Sequence, residues 1–382
     1  MTDQPSPPRL AALDGLRGLA VLAVLVFHAE SLSGSPLRLP GGFLGVSVFF
    51  TISGFVIGRL VLDEQQRTDH VDLGAFGVRR VARLAPTALT TVALVVLVSQ
   101  TAAAPWSVPQ GFSTADALAA VGNVTNWSLA VISDSVGFRL VHPLTHFWSL
   151  AVEAQFYLLF ALTVLVLRRH RLRERLATIA GWAWCGSLVM ALVVHGSVRR
   201  EEFGTDIRLA EFAAGVLLAT QLPRLTPLLR RHVAALDALG TALLALFGAL
   251  VLFVTRDEFW LGNGGYAMLG VAWALLLCSA LANGRVTAVL SWPPLVRLGL
   301  ISYSLYLVHW PIVLMLTDGR LHTHGWWSVA IRIVVSVLAA IGMHVAVEQP
   351  LRRRLSTAPV GGVLGGWLLS LGVVSVLAVA LL

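Results

Sequence analysis

The sequence contains no lysine: all 28 of its basic residues are arginine, a choice that fits genomic base composition and carries no mechanism. Cysteine is almost as scarce. Cys185 and Cys278 both sit inside apolar stretches, which excludes a disulfide framework and a zinc knuckle. Charge is scarce too: Asp, Glu and Arg make up 13% of the 382 residues, whereas hydrophobic residues make up 57%. A soluble domain is about one quarter charged, so the composition excludes one and defines an integral membrane protein. The net charge of +8 is not gathered on one compact soluble module, and this excludes nucleic acid as the partner. No internal repeat of transporter type is visible.

What is present is a series of apolar runs of spanning length. Eleven can be read, at about 15–34, 43–62, 84–104, 146–167, 178–196, 206–221, 236–254, 264–282, 298–317, 326–347 and 361–382. The expected fold is all-α, a polytopic transmembrane helix bundle with ten core helices and an eleventh C-terminal span. Arginines concentrate in alternate loops, above all Arg168, Arg169, Arg171, Arg173 and Arg175 and then Arg352, Arg353 and Arg354. By the positive-inside rule the N-terminus is expected in the cytoplasm and the C-terminus outside. The outer segment of about 105–145 is too short for a separate domain; within it Asn123 and Asn126 match a glycosylation pattern that often arises by chance. In the last run Gly361/Gly365 and Gly362/Gly366 have the spacing of close helix packing or of a dimer contact, so a homo-oligomer is expected.

The first run carries three ionisable residues, Arg17, His28 and Glu30. Arg17 and His28 are eleven residues apart, nearly three helical turns, so they share a face about 16 Å apart along the axis. Ionisable groups inside a spanning helix are costly and are usually kept for function. His146 and Glu153, at the head of the fourth run, also share a face, with Ser149 between them. The ninth run aligns Ser302, Tyr306 and His309, next to Tyr303. Asp206 and Arg208 are expected to form a local ion pair, leaving Glu211 deeper in the membrane. Arg79 and Arg83 share a face at the entrance to the third run, where arginine forks suit phosphate. The small residues and hydroxyls of the second run suit close helix packing, with Ser47 and Ser53 as the alternative candidates for lining a pocket. His28, His146, Glu153, Glu211 and His309 map to the outer half of the membrane. Arg17, Arg79, Arg80, Arg83 and the Glu348–Arg352 turn map to the inner face. Such a division suits vectorial group transfer, and also a proton-coupled transporter or flippase.

The pattern of motifs resembles the acyltransferase-3 family over residues 10–354. It runs through Arg17-x10-His28, Gly42-Phe-Leu-Gly-Val-Ser-Val-Phe-Phe-Thr-Ile-Ser-Gly-Phe55, Phe76-x-x-Arg-Arg-x-x-Arg-Leu-x-Pro86, and His146-Phe-Trp-Ser-Leu-x-Val-Glu-x-Gln-Phe-Tyr157. Ser302-Tyr-Ser-Leu-Tyr-Leu-x-His-Trp-Pro311 and Glu348-x-Pro-Leu-Arg352 complete it. The resemblance implies a bacterial membrane O-acyltransferase that moves an acyl group, most commonly acetyl, from acyl-CoA to a hydroxyl of a cell-envelope glycan or glycolipid. A macrolide-type natural product is the other acceptor it implies. The donor is expected to be acetyl-CoA, with no metal. His28, Glu153 and His146 are the implied catalytic residues, with His28 as general base or, less favoured, as acyl carrier. Arg17, Arg79, Arg80, Arg83 and Arg352 are expected to hold the CoA moiety, and Ser53, Glu211, Tyr303, Tyr306 and His309 to contact the acceptor. Residues 1–354 would form the acyltransferase domain and 355–382 the added helix. No SGNH domain is expected after it, so chemistry by such a domain is expected to be absent or supplied in trans.

Overall fold

The computed structural model describes residues 8–33, 38–101, 106, 112–131, 142–167, 171–194 and 197–382, the first three of them by backbone alone. Arg168, Arg169 and the middle of the outer segment lie outside these. In chain order the helices begin with α1 (Pro8–Ser31), α2 (Gly45–Thr68), α3 (Leu73–Ser99), α4 (Thr114–Val121), α5 (Thr125–Ala130) and α6 (Phe147–Val166). They continue with α7 (Leu172–Val193), α8 (Val198–Phe203), α9 (Thr205–Arg231), α10 (Val233–Phe253), α11 (Tyr266–Leu281) and α12 (Arg285–Leu290). The last are α13 (Pro293–Leu300), α14 (Ser302–Met315), α15 (Asp318–Leu321), α16 (Trp326–Met343), α17 (Gln349–Ser356) and α18 (Val360–Leu381). No strand occurs among the described residues. Among the described residues, ten helical stretches are long and apolar enough to cross a membrane. The pair α13 and α14, bent by 72°, makes an eleventh when counted as one span. These correspond in order to the eleven apolar runs. The protein is therefore all-α and polytopic.

The third run departs most from expectation. Asp72 caps α3 by accepting from the Ala75 amide at 2.8 Å, so the helix begins two turns or more before the apolar stretch. Arg79, Arg80 and Arg83 thus lie within α3 and are held in helical register.

The chain divides into two compact units. The first comprises residues up to Phe27, Arg38–Val71 and Phe156–Ser302; the second comprises His28–Leu37, Asp72–Gln155 and Tyr303–Leu382. In the first unit α2 packs closely on α9, because a Cβ at Gly54 would strike the Phe212 carbonyl and one at Gly215 the Thr51 carbonyl. The rings of Phe50, Phe212 and Phe156 stack across this contact at centroid distances of 4.5 and 4.3 Å. Gly15 and Gly18 do the same for α1, against the backbones of Leu290 and Leu295. Gly15 and Gly18 are there for packing.

In the second unit α3 is covered by α17 and α18. α18 buries Val363, Val374 and Ala378. Its Gly361, Gly362, Gly365 and Gly366 face open space, so they do not provide the close packing within the chain that their spacing suggested. Gln155 fastens α6 to α5, donating to Asn126 Oδ1 and the Asn123 carbonyl at 2.9 Å and accepting from Trp127 Nε1 at 3.1 Å. Asn126 is fully buried in that contact, which leaves no room for a glycan.

Candidate active site

The second unit brings together three of the histidines singled out in the sequence. His28 arrives on the last turn of α1, His146 on the turn before α6, and His309 in the middle of α14. The His28 ring lies against two successive residues of α14, with centroids 5.0 Å from His309 and 4.8 Å from Trp310. Its Nδ1 is 3.0 Å from His309 Nε2. The His146 ring stands edge-on to His309 at 5.5 Å and beside Tyr306 at 5.6 Å. His146 and His309 are buried, whereas His28 is half-buried.

Local sequence explains how each ring is held. Thr145 Oγ1 accepts from the His142 amide and donates to the His142 carbonyl, both at 2.8 Å, which closes the turn preceding α6. The same carbonyl accepts from Trp310 Nε1 at 3.0 Å, and this fixes the indole beside His28. His142 accepts from the Leu144 amide through Nδ1 and turns its Nε2 toward Asp116 of α4 at 3.6 Å. Burial holds His142 below the usual imidazole range, with Asp116 pulling the other way. Tyr306 donates to the His146 carbonyl at 3.0 Å and accepts from Ser149 Oγ at 2.6 Å. The i, i+4, i+7 stripe on the ninth run thus brings Tyr306 and His309 into the cluster. Ser302, at the start of α14, belongs to the other unit.

Arg332 contributes to this site although its sequence context gave it no role. Fully buried on α16, it donates to the carbonyl of Ala29 at 2.7 Å and of Leu32 at 3.3 Å, at the end of α1. It also donates to the Leu316 carbonyl at 2.7 Å and to Asp318 at 2.8 Å. Carbonyls of a last helical turn have no partner within the helix, and one arginine supplies them for the turn that carries His28. Trp310 was also missed, and the Trp-Pro dipeptide was its signal.

The remaining candidates are placed as follows. Glu153 is half-buried two turns along α6 from His146. Arg79 is exposed, Arg83 half-buried, and Arg80 half-buried with its guanidinium 5.9 Å from the Phe76 ring. Arg352, Arg353 and Arg354 are exposed on α17, which packs on α3, so the two arginine groups belong to neighbouring helices. Glu348 anchors α17: it accepts from Ser304 Oγ at 2.6 Å and from His344 Nδ1 at 2.8 Å. Ser304 is five residues before His309 on α14, about 7.5 Å along the axis. Tyr303 donates to the Leu84 carbonyl at 2.6 Å.

Arg17, Ser53 and Glu211 are in the first unit. Arg17 is ion-paired with Asp14 at 2.8 Å, and Ser53 is half-buried on α2. Glu211 is fully buried and bound by Arg208 at 2.7 Å. Arg208 also donates to Ser47 at 3.2 Å and lies 3.9 Å from the Tyr266 ring centre. The expected Asp206–Arg208 pair does not form. Residues two apart on a helix point to nearly opposite sides, whereas residues three apart are neighbours. Arg208 therefore takes Glu211, and Asp206 takes Arg200 at 2.6 Å.

A histidine cluster in the same compact unit as an arginine-bearing surface, in an all-α polytopic protein, defines a candidate group-transfer site. The profile described as an acyltransferase domain matches residues 10–345, and the chain belongs to the acyltransferase-3 family. It is 33% identical over 362 residues to the O-acetyltransferase OatA of Staphylococcus aureus, covering 91% of this chain and 58% of that protein. It is 31% identical over 363 residues to the Putative peptidoglycan O-acetyltransferase YrhL of Bacillus subtilis, covering 90% of this chain and 55% of that one. The chain thus spans a little over half the length of these relatives. No solved structure matches it.

Proposed function

We propose that the protein is a membrane O-acyltransferase that carries an acetyl group from acetyl-CoA to a hydroxyl of a cell-envelope glycan, with peptidoglycan as the first candidate. The observation that carries this reading is the half-buried imidazole of His28, set between His309 and Trp310 in the unit that also bears Arg79 and Arg352–Arg354. The relatives' names supply the acetyl group and the glycan. The arginines supply the partners that a CoA diphosphate and ribose phosphate require. The arginine-rich loops support a cytoplasmic N-terminus, with the CoA end of the reaction on that side.

In the reaction, His28 takes the proton of the acceptor hydroxyl as its oxygen attacks the thioester carbonyl. The tetrahedral adduct collapses by breaking the carbon–sulfur bond, and the imidazolium returns the proton to the departing thiolate. The products are the O-acetyl ester and free CoA thiol, with no net proton change. Glu153 would act from α6 by balancing charge, and His146, on the turn before it, by packing against the imidazole's partner.

The test is thiol release from acetyl-CoA by purified, reconstituted protein in the presence of peptidoglycan fragments. A general base contributes about 10²–10⁴-fold, so His28→Ala should lower turnover by about that factor while the protein still elutes as a folded species. Full turnover in that variant would reject the assignment. Flux of a substrate across vesicles without thiol release would identify a transporter instead.

A further inference from the structure

Pro311 lies inside α14 and has no amide hydrogen, so the Leu307 carbonyl four residues earlier loses its helical donor. His146 fills that vacancy: its Nε2 is 3.0 Å from the Leu307 oxygen. A carbonyl can only accept, so the proton of His146 is on Nε2. One turn of the same helix dictates the state of His309 in the same way. Its Nδ1 is 2.7 Å from the Tyr306 carbonyl and 3.2 Å from the Leu305 carbonyl. Nδ1 must therefore carry the hydrogen, and in the neutral ring Nε2 is left with a lone pair. That lone pair points at His28 Nδ1.

From this chain of contacts we infer that His309 is a positioning residue, which holds neutral His28 as its Nδ1–H tautomer and so makes Nε2 of His28 the nitrogen that receives the acceptor's proton. The inference rests on the reading of His28 as general base and specifies how that base is set. Two main-chain carbonyls do for this pair what a carboxylate does for the histidine of a serine protease. When His28 takes up the proton, its Nδ1–H still donates to the His309 lone pair. Handing a proton on to His309 would move the positive charge from a half-buried ring to one that is 1% exposed, which desolvation opposes. The charge stays on the ring that meets the substrate.

Two variants and one spectrum test this. His309→Gln can present an amide oxygen near the position of Nε2, whereas His309→Leu keeps bulk and presents no acceptor. The expected result is that H309Q keeps kcat within about tenfold of the parent, while H309L loses about 10⁴-fold, the cost of a wrong tautomer in a comparable dyad. KM for acetyl-CoA should be unchanged in both. In the unsubstituted protein, ¹⁵N-histidine NMR, with the His28 signals assigned by their loss in H28Q, should show the proton on Nδ1. A proton found on Nε2 of His28 overturns the proposal whether or not the variants fold. So does H309L with kcat within threefold of the parent, or an equal loss in folded H309Q and H309L. Turnover surviving in H28A would instead remove the general-base reading, a separate outcome.

Discussion

Replacing Arg332 by methionine keeps most of the side chain's apolar stem and removes all its donors. Three carbonyls then lose their partner, those of Ala29, Leu32 and Leu316, and Asp318 loses its ion pair. A buried polar group left unsatisfied costs about 1–3 kcal/mol, so three carbonyls at the lower end cost about 3 kcal/mol. Breaking a buried ion pair from one side costs about 3–5 kcal/mol, which brackets the same total. At roughly 2 °C per kcal/mol for a chain of this size, the melting temperature should fall by about 6–10 °C. Two of the carbonyls belong to the turn that carries His28, so turnover measured well below the melting temperature should fall as well. Arg332→Lys retains the charge with fewer donors and should fall between the two. The assays are melting followed by size-exclusion chromatography, and thiol release at 20 °C. An R332M protein that melts within 2 °C of the parent, with unchanged turnover, would refute the clamp.

Two further outcomes concern Glu348 and His142. Glu348→Ala removes the acceptor of Ser304 and His344 and loosens α17, so KM for acetyl-CoA should rise about tenfold with kcat nearly constant, a loss of about 1.4 kcal/mol in binding alone. A fall in kcat at constant KM would show that Glu348 serves the chemistry instead. His142 has its pKa lowered by burial, so the unfolded chain binds more protons at that position. Its contribution to stability is complete above the ordinary imidazole value of 6.5 and declines as the pH drops below it. The melting temperature should therefore fall between pH 7.5 and 5.5, and the fall should shrink in His142→Gln; an identical fall in both would exclude His142 as its source.

The order of spans was legible because each must present about 20 apolar residues to lipid, and that constraint is local. The alignment of Tyr306 and His309 was legible for the same reason, since a helix fixes the facing of residues three or four apart. Less legible was the bend between α13 and α14, which hides in a continuous apolar run just ahead of Ser302. Arg332 was opaque, because its partners in α1 are about 300 positions away and are main-chain atoms without any sequence signature. Glu211 illustrates a local rule that was available and misapplied: three residues of spacing outrank two. The histidines were legible as a group expected at one membrane depth, but not as a hydrogen-bonded pair. Nothing in the spacing of residues 28 and 309 announces a shared hydrogen bond.

The carbonyls of Leu305 and Tyr306 are supplied by every amino acid, so the element that dictates the imidazole state is written in the main chain and not in side chains. Truncation to alanine would leave both carbonyls in place, and at Leu305 it would report the loss of a buried side chain instead. Only an edit of the backbone itself, such as an ester in place of the amide that follows Leu305 or Tyr306, would weaken the acceptor while leaving every side chain in place.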